Sequence, residues 1–385
     1  MKFFHTADWH LGKLVHGVYM TEDQRHVLNQ FIAAIEEERP DAVIIAGDLY
    51  DRAVPPTEAV ELLDEVLRRI LLDLKTPVIA IAGNHDSPGR LDFATKLMQA
   101  NGLFLTGHLN SSFEPVILND EYGEVHFHRI PYAEPGVVRH ILQNDAIHSH
   151  QEAMNGILER IQANLNPKAR HVLVGHAFVT PKGEARENTS DSERPLSIGG
   201  AEHVSADLYD AFHYTALGHL HQAHNVGLPN IQYSGSPLKY SISEENHNKG
   251  YLCVELNGEG QVTVEKRPLT PLRDMRTIEG TIDEVITHPV NEDYVFVRLL
   301  DERPVLAPME KIRSVYPNAM HVERPINLIN EKRIDSPTED RKKMGDQALF
   351  KAFYNEVTGR EVDPEAEALF IEILEDVRKK EAERG

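Results

Sequence analysis

Cysteine is nearly absent from this chain: Cys253 is the single one in 385 residues. No intrachain disulfide can form, which excludes a disulfide-stapled secreted scaffold and suits a reducing compartment. Cys253 sits in the apolar run Gly250–Leu256 and reads as a small buried residue. No apolar stretch approaches the roughly 20 residues of a membrane span. The opening Met1-Lys2-Phe3-Phe4 lacks an apolar region of signal-peptide length. Both absences lead us to expect a soluble, cytoplasmic protein with no membrane partner. Positive charge is the third shortage. Lys and Arg total 40 against 61 Asp and Glu, a formal net charge of −21. An acidic surface repels phosphate backbones, which argues against a freestanding nucleic-acid-binding module. It does not argue against an enzyme acting on a polyanion, because two divalent ions would add about +4 locally. A partner subunit would then supply much of the grip.

Apolar residues, by contrast, are plentiful. At 41% hydrophobic, the chain can bury a sizeable core, and its length suits two or three domains. Five short motifs each close an apolar run: Asp8-Trp9-His10, Gly47-Asp48-Leu49-Tyr50-Asp51, Gly83-Asn84-His85-Asp86, Gly175-His176 and Gly218-His219-Leu220-His221. The runs before them, Lys2–His5, Ala42–Ala46, Val78–Ala82, His171–Val174 and His213–Leu217, have the length and composition of buried strands. Ligands in sheet proteins gather outside the carboxyl ends of strands. The polar groups stand at that end five times over.

Between the motifs the chain alternates strands with amphipathic helices as far as about residue 270. Thr21-x-x-Gln24 has the form of a capping box, and Val27, Leu28, Phe31, Ile32 and Ile35 follow at helical spacing until Pro40. Thr57–Leu74 reads as a second helix with Val60, Leu63, Leu67, Ile70 and Leu71 inward. Leu91–Ala100 and His148–Leu165 read as two more. Val116–Leu118 and Val125–His128 flank a turn and suggest a hairpin. Thr180–Gly200 is a long polar loop, either a place for substrate contacts or a solvated connector. Strands are expected near Ile231–Ser234, Gly250–Leu256 and Gln261–Lys266. Pro268 and Pro271 mark a boundary, after which residues 271–326 form a small αβ unit. Residues 327–345 are a polar linker. Residues 346–385 carry two helices, with one apolar stripe at Leu349, Phe350, Phe353 and Val357 and another at Leu369, Phe370, Ile373, Leu374 and Val377. Such faces dock on a partner or on their own domain.

Carboxylate, imidazole and amide ligands in this combination suit Mn²⁺, Fe²⁺, Co²⁺ or Zn²⁺. Two such ions can clamp a phosphate and activate water. That arrangement needs a bridging carboxylate, and Asp48 is placed for it. Asp8 and His10 can reach one ion from an extended turn. His219 and His221 can share one ion or divide between two. His85 need not be a ligand; beside the metals its ring can protonate a leaving oxygen, with Asp51 or Asp86 to orient it. Arg52 can contact a phosphate oxygen or simply lie on the surface.

Together with the loop Glu193-Arg194-Pro195-Leu196-Ser197-Ile198-Gly199-Gly200 and the segment Ser234-Gly235-Ser236-Pro237-Leu238, these motifs resemble the calcineurin-like metallophosphoesterase superfamily and, within it, the SbcD family of nuclease subunits. The resemblance is strong over about residues 1–270. It implies an α/β fold with two sandwiched β-sheets flanked by helices, then a capping domain at 271–326 and a helical tail. It implies one Mn²⁺ on Asp8, His10 and His221, a second on Asn84, His176 and His219, Asp48 between them, and His85 as the catalytic histidine. It implies exonuclease cleavage of DNA ends and endonuclease cleavage of hairpins and single strands, in DNA repair, recombination and replication. The working assembly would be a homodimer within a heterotetramer, with an SbcC-type ATPase whose coiled-coil base docks the tail. Relatives elsewhere carry His at the place of Asp51, so its role transfers least directly. The same ligand spacing serves metallophosphatases and phosphodiesterases that act on phosphoproteins or small phosphoesters, and that reading stays beside the nuclease. A non-enzymatic scaffold is the third, opposed by the complete ligand set.

Overall fold

The innermost strands, such as Ala42–Ile45, Val78–Ile81 and Tyr214–Gly218, are buried on both faces, and the reason is a four-layer arrangement. The structure is a computed structural model that describes residues 1–181, 190–193, 203–324, 345–358 and 361–382. Residues 182–189 and 194–200 of the expected loop Thr180–Gly200, and 327–344 of the expected linker, lie outside them. Two six-stranded sheets form the centre. One runs in the order Val262–Pro268, Gly250–Leu256, Lys2–Thr6, Ala42–Ile45, Val78–Ile81, Leu103–Thr106. The other runs His224–Val226, Leu228–Tyr233, Tyr214–Gly218, Arg170–His176, Gly123–Ile130, Val116–Asp120. Each has four parallel strands side by side with antiparallel strands at its margin.

Alternation along each strand sends side chains to two different cores. Phe3, Ala42, Ile44, Ile79 and Ile81 meet Phe127, Val172, Val174, Tyr214 and Ala216 of the opposite sheet. Phe4, Val43, Ile45, Val78 and Ala80 face outward onto the helices Thr21–Glu38 and Thr57–Arg68. Leu173, Leu217 and Ile231 pack with the helices Pro135–Leu142 and His150–Gln162 on the far side. Burial on both faces is why these strands read as unbroken apolar runs. Parallel strands also bring all five motif-bearing carboxyl ends toward one rim.

Several expectations are corrected. Thr21 and Gln24 form no capping box: Met20 is the N-cap, and no side chain caps the first helix. Gln24 is buried and spends its amide elsewhere, as described below. In Thr57–Arg68 the buried face is Ala59, Leu62, Leu63 and Val66, while Val60 is exposed. The helix then passes into a π-helical turn at Arg69–Asp73, which keeps Ile70 and Leu71 inward. The segment Leu91–Ala100 is not one helix. Ala94 adopts φ 58° and separates the short turns Pro88–Leu91 and Thr95–Met98. The hairpin is longer than expected, and a true capping box, Ser149 with Glu152, opens His150–Gln162.

The chain divides into two compact units, Met1–Thr277 with Asn291–Phe296 and Tyr316–Met320, and Ile278–Val290 with Val297–Val315 and His321–Gly385. In the second, Thr281 and Glu284 form a capping box, and Arg298 pairs with Glu323 at 2.8 Å. Its helices Asp346–Thr358 and Pro364–Ala382 meet through stacked Phe350 and Phe370 rings, 4.0 Å apart.

Two histidines in the first unit are buried away from the motif rim. His5 donates or accepts at Tyr214 Oη (2.9 Å), and His128 Nε2 lies 3.1 Å from His171 Nδ1. Burial pushes His5 down to about 3, and burial with the neighbouring His171 and His126 pushes His128 down to about 3. Both are neutral when folded, whereas the unfolded chain takes up protons near pH 6.5. The contribution of these two histidines to stability is therefore full above about pH 6.5 and declines as pH falls toward 3. His128→Leu should flatten that decline, measured as urea-unfolding free energy at pH 7, 5.5 and 4.5. An unchanged slope would contradict it.

Candidate metal centre

The motif loops hold themselves in an unfavourable backbone conformation. Asp8 (φ 55°), His10 (φ 46°), Asp48 (φ 51°) and His219 (φ 109°) are all left-handed. Each costs on the order of 1–2 kcal/mol for an L-residue, and such strain persists only where neighbours enforce it. Between the first two loops the enforcement is a ladder: Asp8 N donates to Gly47 O (3.0 Å), His10 N to Asp48 O (2.9 Å) and Leu11 N to Leu49 O (2.9 Å). Gln24 braces the same turn. Its amide donates to the Trp9 and His10 carbonyls at 3.1 and 2.8 Å and accepts from Gly12 N. Asp86 joins the second and third loops by accepting from Leu49 N, Tyr50 N and Gly83 N at 3.0–3.1 Å. Gly83 cannot be otherwise, since a Cβ there would overlap the Asp48 carboxylate.

These loops bring seven sequence-predicted residues together. Asp8, His10, Asp48, His176, His219 and His221 are all at most 4% exposed, and Asn84 is half-buried. Possible ligand atoms converge within 4.8 Å in three groups: Asp8, His10 and His221; Asp8, Asp48 and His176; and His10, Asp51 and His85. Asp48 Oδ2 lies between two of the rings, 3.6 Å from His10 Nε2 and 3.5 Å from His176 Nε2. The Asp8 carboxylate accepts from His219 N at 3.0 and 3.1 Å. His219 joins none of these three groups; its ring lies 5.5 Å from that of His176.

The donor set fits a cation. His176 Nδ1 donates to the Ala46 carbonyl at 2.9 Å, so its Nε2 is a bare lone pair, and it faces the Asn84 carbonyl oxygen at 2.9 Å. Two acceptors at that distance repel unless a positive charge lies between or beside them. His221 Nε2 approaches His10 Nε2 to 3.1 Å. Two metal–nitrogen bonds of about 2.0–2.1 Å span about 3–3.4 Å between nitrogens. Burial, and then the Asp48 charge, raise the Asp8 carboxyl well above the usual range. Burial lowers His10, His176, His219 and His221, keeping the imidazoles neutral, as metal ligation requires.

His85 lies at the open side, half-buried, with its ring 4.6 Å from that of His10. Neither carboxylate expected to orient it does so. Asp86 is spent on three backbone amides. Asp51 contributes its carbonyl instead, 2.7 Å from His85 Nδ1. The Asp51 carboxylate turns to Lys13 Nζ (2.8 Å) and stands 3.8 Å from His10 Nδ1. Arg52 is exposed on the following loop. Four supporting residues, Gln24, Lys13, Glu244 and Lys249, are not marked as such by the sequence. Gln24 has the spacing of a different task, and no spacing marks the other three.

The sequence profile of the calcineurin-like phosphoesterases matches residues 1–223, and the chain belongs to that family. A second profile, the type 5 capsule protein repressor C-terminal domain, matches residues 271–358. Over 362 residues the chain is 35% identical to the SbcD subunit of the nuclease SbcCD from Staphylococcus epidermidis, covering 93% of this chain and 94% of that protein. Within the family it is thus of the SbcD type. Solved structures are more distant. A dimetal phosphatase from Danio rerio gives a TM-score of 0.42 at 13% identity, over 71% of this chain and 98% of that one. A protein of Thermus thermophilus gives 0.38 at 12% identity, over 69% and 98%. Family and ligand groups together make this a divalent-metal centre of a phosphoester hydrolase.

Asp86→Ala would strand two buried amides and a half-buried one, each buried amide worth about 1–3 kcal/mol. We expect unfolding free energy to drop by about 3 kcal/mol or more in urea titration; a drop below about 1 kcal/mol would contradict the bracing role.

Proposed function

We propose that this chain is a Mn²⁺-dependent DNA nuclease, an exonuclease on duplex ends and an endonuclease on hairpins and single strands, acting in the cytoplasm with an SbcC-type ATPase in DNA end processing, repair and recombination. The observation that carries it is Asp48 Oδ2 lying between the His10 and His176 rings, with His85 beside them on the open side. The similarity to the SbcD subunit of an SbcCD nuclease supports DNA as the phosphodiester. Asp8, His10 and His221 would hold one ion, Asn84, His176 and His219 the other, and Asp48 would bridge. Bound there, the two ions would neutralise the scissile phosphate and make a water acidic enough to attack.

The protein's own part is positioning and proton transfer. Asp51 O keeps the proton on His85 Nδ1. A second proton, on Nε2, can then pass to the departing 3′ or 5′ oxygen, leaving a neutral ring whose Nδ1–H bond is undisturbed. Lys13 neutralises the Asp51 carboxylate, and Arg52 would contact a non-bridging phosphate oxygen.

On this reading residues 1–270 are the nuclease domain, 271–326 a capping domain that recognises DNA, 327–345 a linker and 346–385 the tail that docks the ATPase's coiled-coil base. The tail exposes Leu349, Phe353, Leu369, Ile373 and Val377, which supports such docking. Phe93 and Leu97, 80% and 76% exposed, offer an apolar face for the homodimer within the heterotetramer.

The test is degradation of linear duplex DNA with Mn²⁺, Mg²⁺ or EDTA, alongside a generic phosphoester. Wild type should cut with Mn²⁺ only. His85→Ala should keep metal and DNA binding and lose about 10²–10⁴-fold in rate. Phosphoester turnover with intact DNA, in the presence of the ATPase, would favour a metallophosphatase instead. Truncation after residue 345 should abolish ATPase capture in a pull-down while small-substrate hydrolysis persists. Retained capture would overturn the assignment of the tail.

A further inference from the structure

His221 is pinned at every polar atom except the one that faces the other ligands. Its backbone N–H donates to Glu193 Oε1 at 2.7 Å. Its carbonyl accepts from Lys249 Nζ at 2.9 Å. Its ring Nδ1 lies 3.0 Å from Glu244 Oε1 and 2.7 Å from Ser192 Oγ. Nε2 alone remains, 3.1 Å from His10 Nε2. None of these four anchoring residues belongs to a ligand motif.

The centre of the arrangement is a buried ion pair. Glu244 is 0% and Lys249 8% exposed, and Lys249 Nζ stands 2.6 Å from Glu244 Oε2. Lys249 also donates to Ser236 Oγ at 2.8 Å, and Ser190 Oγ donates to Glu244 Oε1 at 3.0 Å. The two charges therefore have their remaining positions filled, which a buried pair requires. A carboxylate on the Nδ1–H of a histidine fixes which nitrogen carries the proton, turns the ring and strengthens the other nitrogen as a donor to a metal.

We infer that Glu244 is a positioning residue for His221: held by Lys249, it keeps the proton on Nδ1 and presents Nε2 to the ion shared with Asp8 and His10. This rests on the metal-centre reading of the site and adds to it a selective dependence. Of the three histidine rings of the site with a described Nδ1 partner, only His221 is held by a carboxylate hydrogen bond; His176 is held by the Ala46 carbonyl and His85 by the Asp51 carbonyl. Loss of Glu244 should therefore weaken one ion and spare the other.

The experiment uses the full metal-free chain and Mn²⁺ alone as probe. Three proteins are compared by calorimetric titration: wild type, Glu244→Gln, and Glu244→Gln with Lys249→Met. The double variant removes both charges, so no unpaired lysine is left buried, and a thermal melt checks that it folds. Wild type should bind two ions. Both variants should lose about 10–100-fold in affinity at one step with the other step unmoved. Nitrogen-15 NMR of the metal-free chain should show His221 protonated on Nδ1 in wild type and as a tautomer mixture in the double variant. A wild type that takes up no Mn²⁺ overturns the metal-centre reading and this inference with it. A wild type that binds two ions, matched by a folded double variant in both affinities and in tautomer, overturns the positioning role alone.

Discussion

Two buried carboxylates, Asp8 and Asp48, share a pocket with buried imidazoles, and the ligand loops are arranged around that unfavourable fact. Like charges repel strongly where water is excluded, and burial raises the Asp8 carboxyl well above its usual range. The pocket keeps them together through backbone geometry. Asp8, His10 and Asp48 are left-handed, and two adjacent loops hold each other in that form by main-chain hydrogen bonds. A divalent cation relieves both problems, since it offsets the charge and takes up lone pairs, such as His176 Nε2, that face another acceptor.

The sandwich makes this possible by supplying rigid ends. Strands buried on both faces cannot slide by one residue without reversing every side chain, so their register is fixed. Parallel pairing of Lys2–Thr6 with Ala42–Ile45 and of Arg170–His176 with Tyr214–Gly218 then fixes where the following loops begin. Behind the loops lies a ring of polar residues with no chemistry of their own: Gln24, Asp86, Glu244 and Lys249. Each is buried and hydrogen-bonded to the ligand loops. Precision in the pocket depends on this ring, because a ligand misplaced by 1 Å or so loses much of its function.

The sequence made some of these features legible and left others hidden, for identifiable reasons. Strand ends followed by Asp, His and Asn were readable because apolar runs stop abruptly there, and chemistry limits what such residues do together. Helix faces were less secure. Thr57–Arg68 buries Ala59 and Leu62 rather than Val60, a rotation that several apolar residues in one helix allow. Gln24 sat where a capping box would place it, but burial gave it four hydrogen bonds inside the fold. Glu244 and Lys249 were not readable at all, because a buried ion pair looks like surface charge in sequence. Asp51 stood out for its carboxylate, whereas its carbonyl meets His85.

The acidic surface and the site together give a division of labour. A chain of net charge −21 would not attract a polyanion broadly, but on the proposed reading a pocket carrying two divalent ions would attract a phosphate locally. The central claim is that this pocket holds two ions bridged by Asp48. Crystals soaked with Mn²⁺ and measured at the manganese absorption edge test it directly. Two anomalous peaks about 3.5–4 Å apart, with Asp48 Oδ2 between them, are the predicted result; one peak, or two peaks without Asp48 between them, would contradict it.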